Sequence, residues 1–343
     1  MRRLSTIGIV VLVFALVATA CGGGTTTTTA PGTTTPSAEP FKVAMVAPSA
    51  VNDLAFSQSM YDALLAVQQQ MGGESAMQIA YSDNLFVVDD AAAAIRDYAN
   101  EGYDLVIAHG SQFGSSLQEI APDYPDTAFA WGTAGDTFGL PNVFAYEAAS
   151  EEGGYVEGVM AAALSTSGVL GVIGPVEVGD AKRYVDGFKA GAEAQNSAID
   201  VKVNYTGSFS DVALAATAAN TEIAAGADVL TGTAQMVTGA VGVAKEDSIP
   251  WFGTQADQTA LAPSIVVASQ VYHWEVVISQ IIDLIQQGTM GGESFVINLS
   301  NGGEAIAYNP DYTLPSDVKQ LAEDTIAGIS DGSINPPRPA AGS

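Results

Sequence analysis

A single cysteine in 343 residues leaves no partner for an internal disulfide, and one Cys with two His cannot complete a structural zinc site. Any chemistry that leans on imidazole falls to His109 or His273. Cations are scarce as well. Only 11 Lys and Arg stand against 38 Asp and Glu, and a formal net charge of -27 repels polyanions, which excludes DNA, RNA and heparin-like partners. No Gly-x-Ser-x-Gly elbow, no nucleophilic cysteine beyond Cys21 and no His/Asp/Glu cluster at metal spacing is present, so neither catalytic residues nor a metal site are expected. Gly168, Gly171 and Gly174 lack the spacing of a dinucleotide fingerprint and read as turns and strand packing, so no cofactor is expected either. What is abundant is apolar surface. Hydrophobic residues make up 48% of the chain and charged ones 14%, enough for a large core, and the length suggests two lobes.

The few cations are used unevenly. Arg2 and Arg3 precede an apolar run from Ile7 to Ala20 that is too short for a comfortable membrane span, the pattern of a signal peptide over residues 1–20. It ends Ala18-Thr19-Ala20-Cys21, which resembles a bacterial lipobox, so Cys21 is the expected lipidation site; the alternative is an ordinary secreted chain with a free thiol. A Thr/Pro/Ser tract follows to residue 40, with no charge until Glu39, and reads as a flexible tether over 21–40.

From Phe41 the chain repeats a short β-rich run, a turn and an amphipathic helix. Phe41–Ala47 reads as a strand, and Met60, Leu64, Val67 and Met71 form the buried stripe of the next helix. This alternation implies parallel sheets covered by helices. The two halves also correspond at nearly constant offsets. Met45 matches Val172, Asp53 matches Asp180 and Tyr61 matches Phe188 at 127; Tyr81 matches Tyr205, and Gly102-Tyr103-Asp104-Leu105-Val106 matches Gly226-Ala227-Asp228-Val229-Leu230, at 124; Trp131-Gly132 matches Phe252-Gly253 at 121. Such a repeat predicts two lobes of one topology.

Ligands of open parallel sheets bind at the carboxyl ends of the strands, so a cleft between two such lobes would be lined by strand-end loops. These loops are rich in aromatics and amides: Asn52–Gln58, His109–Phe113 and Trp131 in the first half, and Thr206–Asp211, Thr233–Met236 and Thr254–Gln258 in the second. Each half also carries an aromatic in the loop after its second strand, Phe86 and Phe209.

Several strings in these loops and helices are recognisable together. Asp53-x-x-Phe56-x-Gln58 leads into Tyr61-Asp62-Ala63-Leu64; Val185-Asp186-Gly187-Phe188-Lys189-Ala190-Gly191, Gly207-Ser208-Phe209-Ser210-Asp211 and Asp257-Gln258-x-x-Leu261-Ala262-Pro263 follow, and Ile329–Pro337 closes the series. In this order, from about Lys42 to Pro337, the chain resembles the basic membrane protein (BMP) family of substrate-binding lipoproteins, which includes PnrA-like purine nucleoside receptors of ABC importers. The resemblance implies a type I periplasmic-binding-protein fold: two Rossmann-like lobes with parallel sheets joined by three hinge crossovers, near 146–151, 269–274 and 298–306. Lobe 1 would span 41–148 plus about 274–300, and lobe 2 would span 149–272 plus about 303–337.

It also implies a function: capture of a purine nucleoside or related planar heterocycle by hinge closure, at the outer face of a bacterial cell membrane, by a lipid-anchored monomer. ABC permease and ATPase subunits would be the partners. A ligand sensor docking on a membrane receptor would use the same cleft, and a cleft hydrolase is a further alternative. Phe56 matches a stacking position of the family and Phe209 the facing one. Asn52 and Asp53 fall at first-lobe polar contacts and Asp257 at the second-lobe acid, although Asp53 can equally cap the helix over 57–71. Gln58, His109, Gln112, Phe113, Trp131, Gln235 and Tyr272 complete the expected ligand-binding set. Two departures fall in the cleft. No lysine occurs in Ser269–His273, where many relatives have one, and His109–Phe113 replaces a Gly-Phe pattern. Nucleoside, free nucleobase and other planar heterocycles therefore stay open, whereas no Arg or Lys is supplied for a phosphate.

Overall fold

A computed structural model describes residues 39–338. The expected signal sequence, Cys21 and the Thr/Pro tract as far as residue 38 lie outside the described residues.

The alternating elements run β1 (Phe41–Val46), α1 (Phe56–Met71), β2 (Met77–Ser82), α2 (Val88–Asn100), β3 (Leu105–His109), α3 (Gly114–Ile120), β4 (Ala128–Gly132) and β5 (Val143–Ala148). The second half runs α4 (Ser150–Leu164), β6 (Val169–Gly174), α5 (Gly179–Gln195), β7 (Asp200–Tyr205), α6 (Val212–Ala224), β8 (Val229–Gly232), α7 (Val237–Asp247), β9 (Trp251–Gln255) and β10 (Val266–Tyr272). The chain closes with α8 (Glu275–Gln286), β11 (Ser294–Ile297), β12 (Glu304–Tyr308) and α9 (Ser316–Ser330).

The strands form two six-stranded sheets of the same order, β11-β5-β4-β3-β1-β2 and β12-β10-β9-β8-β6-β7. Met45 pairs with Ile107 in one sheet and Val172 with Thr231 in the other, so the offsets of 127 and 124 describe equivalent neighbours. The offset fails at the outer strand. Met45 faces Tyr81 while Val172 faces Val203, which puts the match of Tyr81 with Tyr205 two residues out of register. Backbone pairing fixes register, and side-chain similarity along the sequence follows it only approximately.

The chain crosses between the sheets three times: after β5, after β10, and between β11 and β12. One strand departs from the expected all-parallel pattern. β12 pairs antiparallel with β10, Glu304 facing Tyr272, because the short link from β11 delivers the chain to the end of β10 that faces the other lobe. From there it can only run back.

Alternation along the strands divides each core in two. Val43 and Met45 face α1 and α8, where Met60, Leu64, Val67 and Ile281 are buried, while Ala44 and Val46 face α2 and α3 with Ile95, Phe113 and Leu117. The second sheet is covered by α4, α5 and α9 on one face and by α6 and α7 on the other. Helices α4 and α5 approach unusually closely through glycines. A Cβ on Gly158 would stand 2.0 Å from the Phe188 carbonyl oxygen, and one on Gly191 2.0 Å from that of Tyr155.

Candidate functional site

At the carboxyl ends of the strands the two halves enclose a cavity of about 340 Å³, within the size range of small-molecule sites. From the first half, Phe56 enters at the start of α1, Phe86 from the β2–α2 loop, Ser111 and Gln112 after β3, and Thr133 after β4. From the second half come Val178 and Asp180 after β6, Phe209 after β7, Gln235 after β8 and Gln255 at the end of β9. Phe86 and Phe209 meet across the cavity with ring centroids 6.4 Å apart.

Backbone strain gathers at these same turns. Leu54, Asn84, Ala234 and Gln255 all have φ between 53° and 76°, each at a cavity-lining residue or within two positions of one. A side chain in this region costs roughly 1–3 kcal/mol, held only where surrounding structure fixes it.

Phe56 is held from behind. Its ring stacks on His109, centroids 3.9 Å apart and 13° from parallel. The Phe56 carbonyl can only accept, so His109 Nε2–H donates to it at 3.1 Å, and Nδ1 accepts the Tyr146 hydroxyl at 2.8 Å. Complete burial lowers the His109 pKa to about 3. The imidazole is thus a neutral platform behind the ring, with both nitrogens bonded and neither turned to the cavity.

Asp180 supplies the only carboxylate of the lining, which contains no Lys or Arg. Burial raises its pKa, opposed by the hydrogen bond from Thr133 and by the charge of Arg183. The Thr133 hydroxyl donates to Asp180 Oδ1 at 3.2 Å across the two halves. Arg183 is directed away, donating to Glu147 at 2.7 Å and to the Ala148 carbonyl at 3.2 Å. A second bond between the halves runs from Gln235 Nε2 to Ser49 Oγ at 3.0 Å. An anionic ligand would meet no compensating cation here.

Of the twelve ligand-binding residues expected from sequence, Phe56, Gln112, Phe209 and Gln235 line this cavity. The structure places the others elsewhere. Asn52 is exposed. Asp53 serves the start of α1, its Oδ1 accepting from the Ala55 and Gln58 amides at 2.9 and 3.1 Å and its Oδ2 from Ser57 N at 3.2 Å. Its capping reading is the one the geometry matches. Gln58 bonds Leu54 N and Asp62. Phe113 is core beneath α2, and Trp131 stacks on Phe138 at 4.6 Å while donating to the Gly110 carbonyl. Asp257 is exposed and accepts from Thr259 N at 2.9 Å. It lines a separate groove with Gln58, Tyr272 and His273. Helix capping takes Asp53 and core packing takes Phe113, while Asn52 and Asp257 stand exposed.

Asp180, Gln255 and Phe86 line the cavity without having been expected there. Two had a signal in the internal repeat, since Asp180 corresponds to Asp53 and Phe86 to Phe209.

Among the described residues no helix is long and apolar enough to cross a membrane. Residues 41–336 match the family described as Bmp, ABC transporter substrate-binding protein PnrA-like. A Brucella abortus (strain 2308) protein named as purine-binding is 30% identical over 260 residues, 76% of this chain and 73% of that one. The ABC transporter nucleoside-binding protein BmpA of Lactococcus lactis subsp. cremoris (strain MG1363) is 27% identical over 352 residues, 96% of this chain and 98% of its own. A solved ABC transporter solute-binding protein from Conexibacter woesei has the same fold, with a TM-score of 0.71 at 23% identity, covering 86% of this chain and 98% of that chain. This chain belongs to the Bmp family of PnrA-like ABC transporter substrate-binding proteins, a family of extracytoplasmic binding proteins and not of enzymes.

Proposed function

We propose that this protein captures a purine base or nucleoside between its two lobes and delivers it to an ABC permease and ATPase, without catalysing a reaction. The observation that carries this reading is the cavity itself: aromatic rings from both halves, acceptor groups on one wall and no cationic side chain. Aromatic faces stack on any planar heterocycle, and the absence of Arg and Lys disfavours a phosphate. The names of the Brucella and Lactococcus relatives, purine-binding and nucleoside-binding, point to the same ligand class. In this reading the lobes, meeting at the three crossings, close on the ligand, and Cys21 carries the lipid that holds the protein at the membrane.

A calorimetric panel of nucleobases, nucleosides, nucleotides, sugars and amino acids tests the ligand class. Purine bases or nucleosides are expected to bind and their monophosphates to bind at least tenfold more weakly. Binding confined to sugars or amino acids would refute the reading. For the anchor, radiolabelled palmitate should mark the wild-type chain in bacteria and not Cys21→Ser, and equal labelling of both would remove Cys21 from the role.

A further inference from the structure

The polar atoms of the cavity are not evenly matched. Among the described residues, Asp180 Oδ2, Gln235 Oε1 and Gln255 Oε1 are buried without a hydrogen-bond partner, and all three residues line the cavity. All three atoms are oxygens, and all three residues belong to the second half: Gln255 ends β9, Gln235 follows β8 and Asp180 stands in the first turn of α5. A buried acceptor left unmatched is unfavourable, so three on one wall of a cavity point to donors arriving with the ligand.

The hydrogen bonds around the cavity fix the polarity of Gln235 and constrain that of Asp180. Ser49 Oγ donates its one proton to the Asp53 carboxylate at 2.6 Å, which can only accept, so Ser49 must receive the bond at 3.0 Å from Gln235 Nε2. That orients the Gln235 amide and leaves Oε1 for the ligand. Asp180 takes the Thr133 hydroxyl on Oδ1, and in the ionised form its other oxygen is an acceptor turned to the ligand. Among the described residues no comparable bond orients the Gln255 amide. Burial, the largest influence on Asp180, raises its pKa, and the hydrogen bond from Thr133 and the charge of Arg183 oppose that rise.

We propose that Asp180, with Gln235 from the same half of the cavity, is the specificity-determining residue of the site, and that it reads N–H donors on the edge of the heterocycle. The ligand class this selects is an amino-substituted purine with a free ring-edge N–H, in preference to purines whose edges carry acceptors alone. This deepens the proposed function and rests on its ligand class. Sugar hydroxyls are donors too, and the test separates the two sources.

The full chain in detergent is titrated calorimetrically with adenine, N6,N6-dimethyladenine, 9-methyladenine, adenosine and 2′-deoxyadenosine, as wild type and as Asp180→Asn. The Asn oxygen stays with Thr133, which turns its NH2 into the cavity and replaces an acceptor by a donor. Adenine is expected to bind the variant at least tenfold more weakly. At least one of the two N-methylated bases should bind wild type tenfold or more below adenine, a gap that shrinks to under threefold in the variant. Asp180→Ala, with its melting transition compared to wild type, guards against a folding defect and should show the same collapse. If the gap persists in both variants, Asp180 does not read the base and the inference falls. If the 2′-deoxy gap is the one that collapses, Asp180 reads the sugar and the inference is likewise overturned. Failure of wild type to bind any purine is a different result: it refutes the proposed function and this inference with it.

Discussion

Desolvation holds the His109 imidazole neutral down to about pH 3, with the hydrogen bond to the Phe56 carbonyl pulling the other way. An unfolded chain would take up that proton near the ordinary histidine value of about 6.5. Folding stability is therefore lost as pH falls from about 6.5 towards 3, by at most about 1.4 kcal/mol per pH unit from this group. Glu157 and Glu304 act with the opposite sign. Burial raises their carboxyl pKa well above the ordinary value, so their contribution is present at low pH and declines as pH rises through the folded pKa. The His109 effect is thus best read as a difference: denaturant titrations of wild type and His109→Gln from pH 7 to 4 should show a shallower acid loss in the variant, and parallel curves would contradict the assignment. The same residue shows how far sequence reaches at this scale. Loop position brought His109, Gln112 and Phe113 into the expected site, and the family resemblance brought Asp53 and Phe56. Which way each side chain turns depends on neighbours distant in sequence, Tyr146 for His109 and the first turn of α1 for Asp53.

At the scale of elements, the α4–α5 contact explains why Gly187 and Gly191 stand within one of the strings that carry the family resemblance. A Cβ on Gly187 would come 2.2 Å from the Glu151 carbonyl oxygen, and the partner glycines of α4, Gly154 and Gly158, would strike Tyr184 and Phe188 backbone. Backbone cannot yield as a side-chain end can. Gly158→Ala should destabilise the protein by about 1–3 kcal/mol, the usual cost of overpacking, measured as a shifted urea midpoint. An unchanged midpoint would mean the helices separate freely. Hydrophobic periodicity made α1 and the β1 strand legible, because both bury one regular stripe. The outer-strand register and the antiparallel β12 were not legible, since they are set by pairing and by the path of the third crossing.

For the molecule as a whole, several hydrogen bonds join the two lobes, among them Gln258 to the Leu54 carbonyl and Arg183 to Glu147. Gln235 to Ser49 and Thr133 to Asp180 both join loops at the cavity. Net hydrogen bonds are worth about 0.5–1.5 kcal/mol each, so under the proposed hinge closure loss of one would shift the closed-to-open balance by about two- to tenfold. Ser49→Ala is therefore expected to enlarge the ligand-free radius of gyration in small-angle scattering and to weaken ligand binding by a similar factor. Scattering identical to wild type would show that the Ser49 bond does not hold the closed form.

The sequence by itself determined the class of molecule. Alternating strands and helices, a repeat at nearly fixed offset and a scarcity of Lys and Arg are local, periodic or compositional properties; the first two specify two like lobes and the third disfavours a cation-lined pocket. Only the tertiary structure decided which strand-end residues face one another. Asp53 and Asp180 are counterparts along the chain, yet one is satisfied by helix amides while the other keeps a buried oxygen at the cavity. A carboxylate goes where its hydrogen bonds are completed, and that depends on which groups the fold brings beside it.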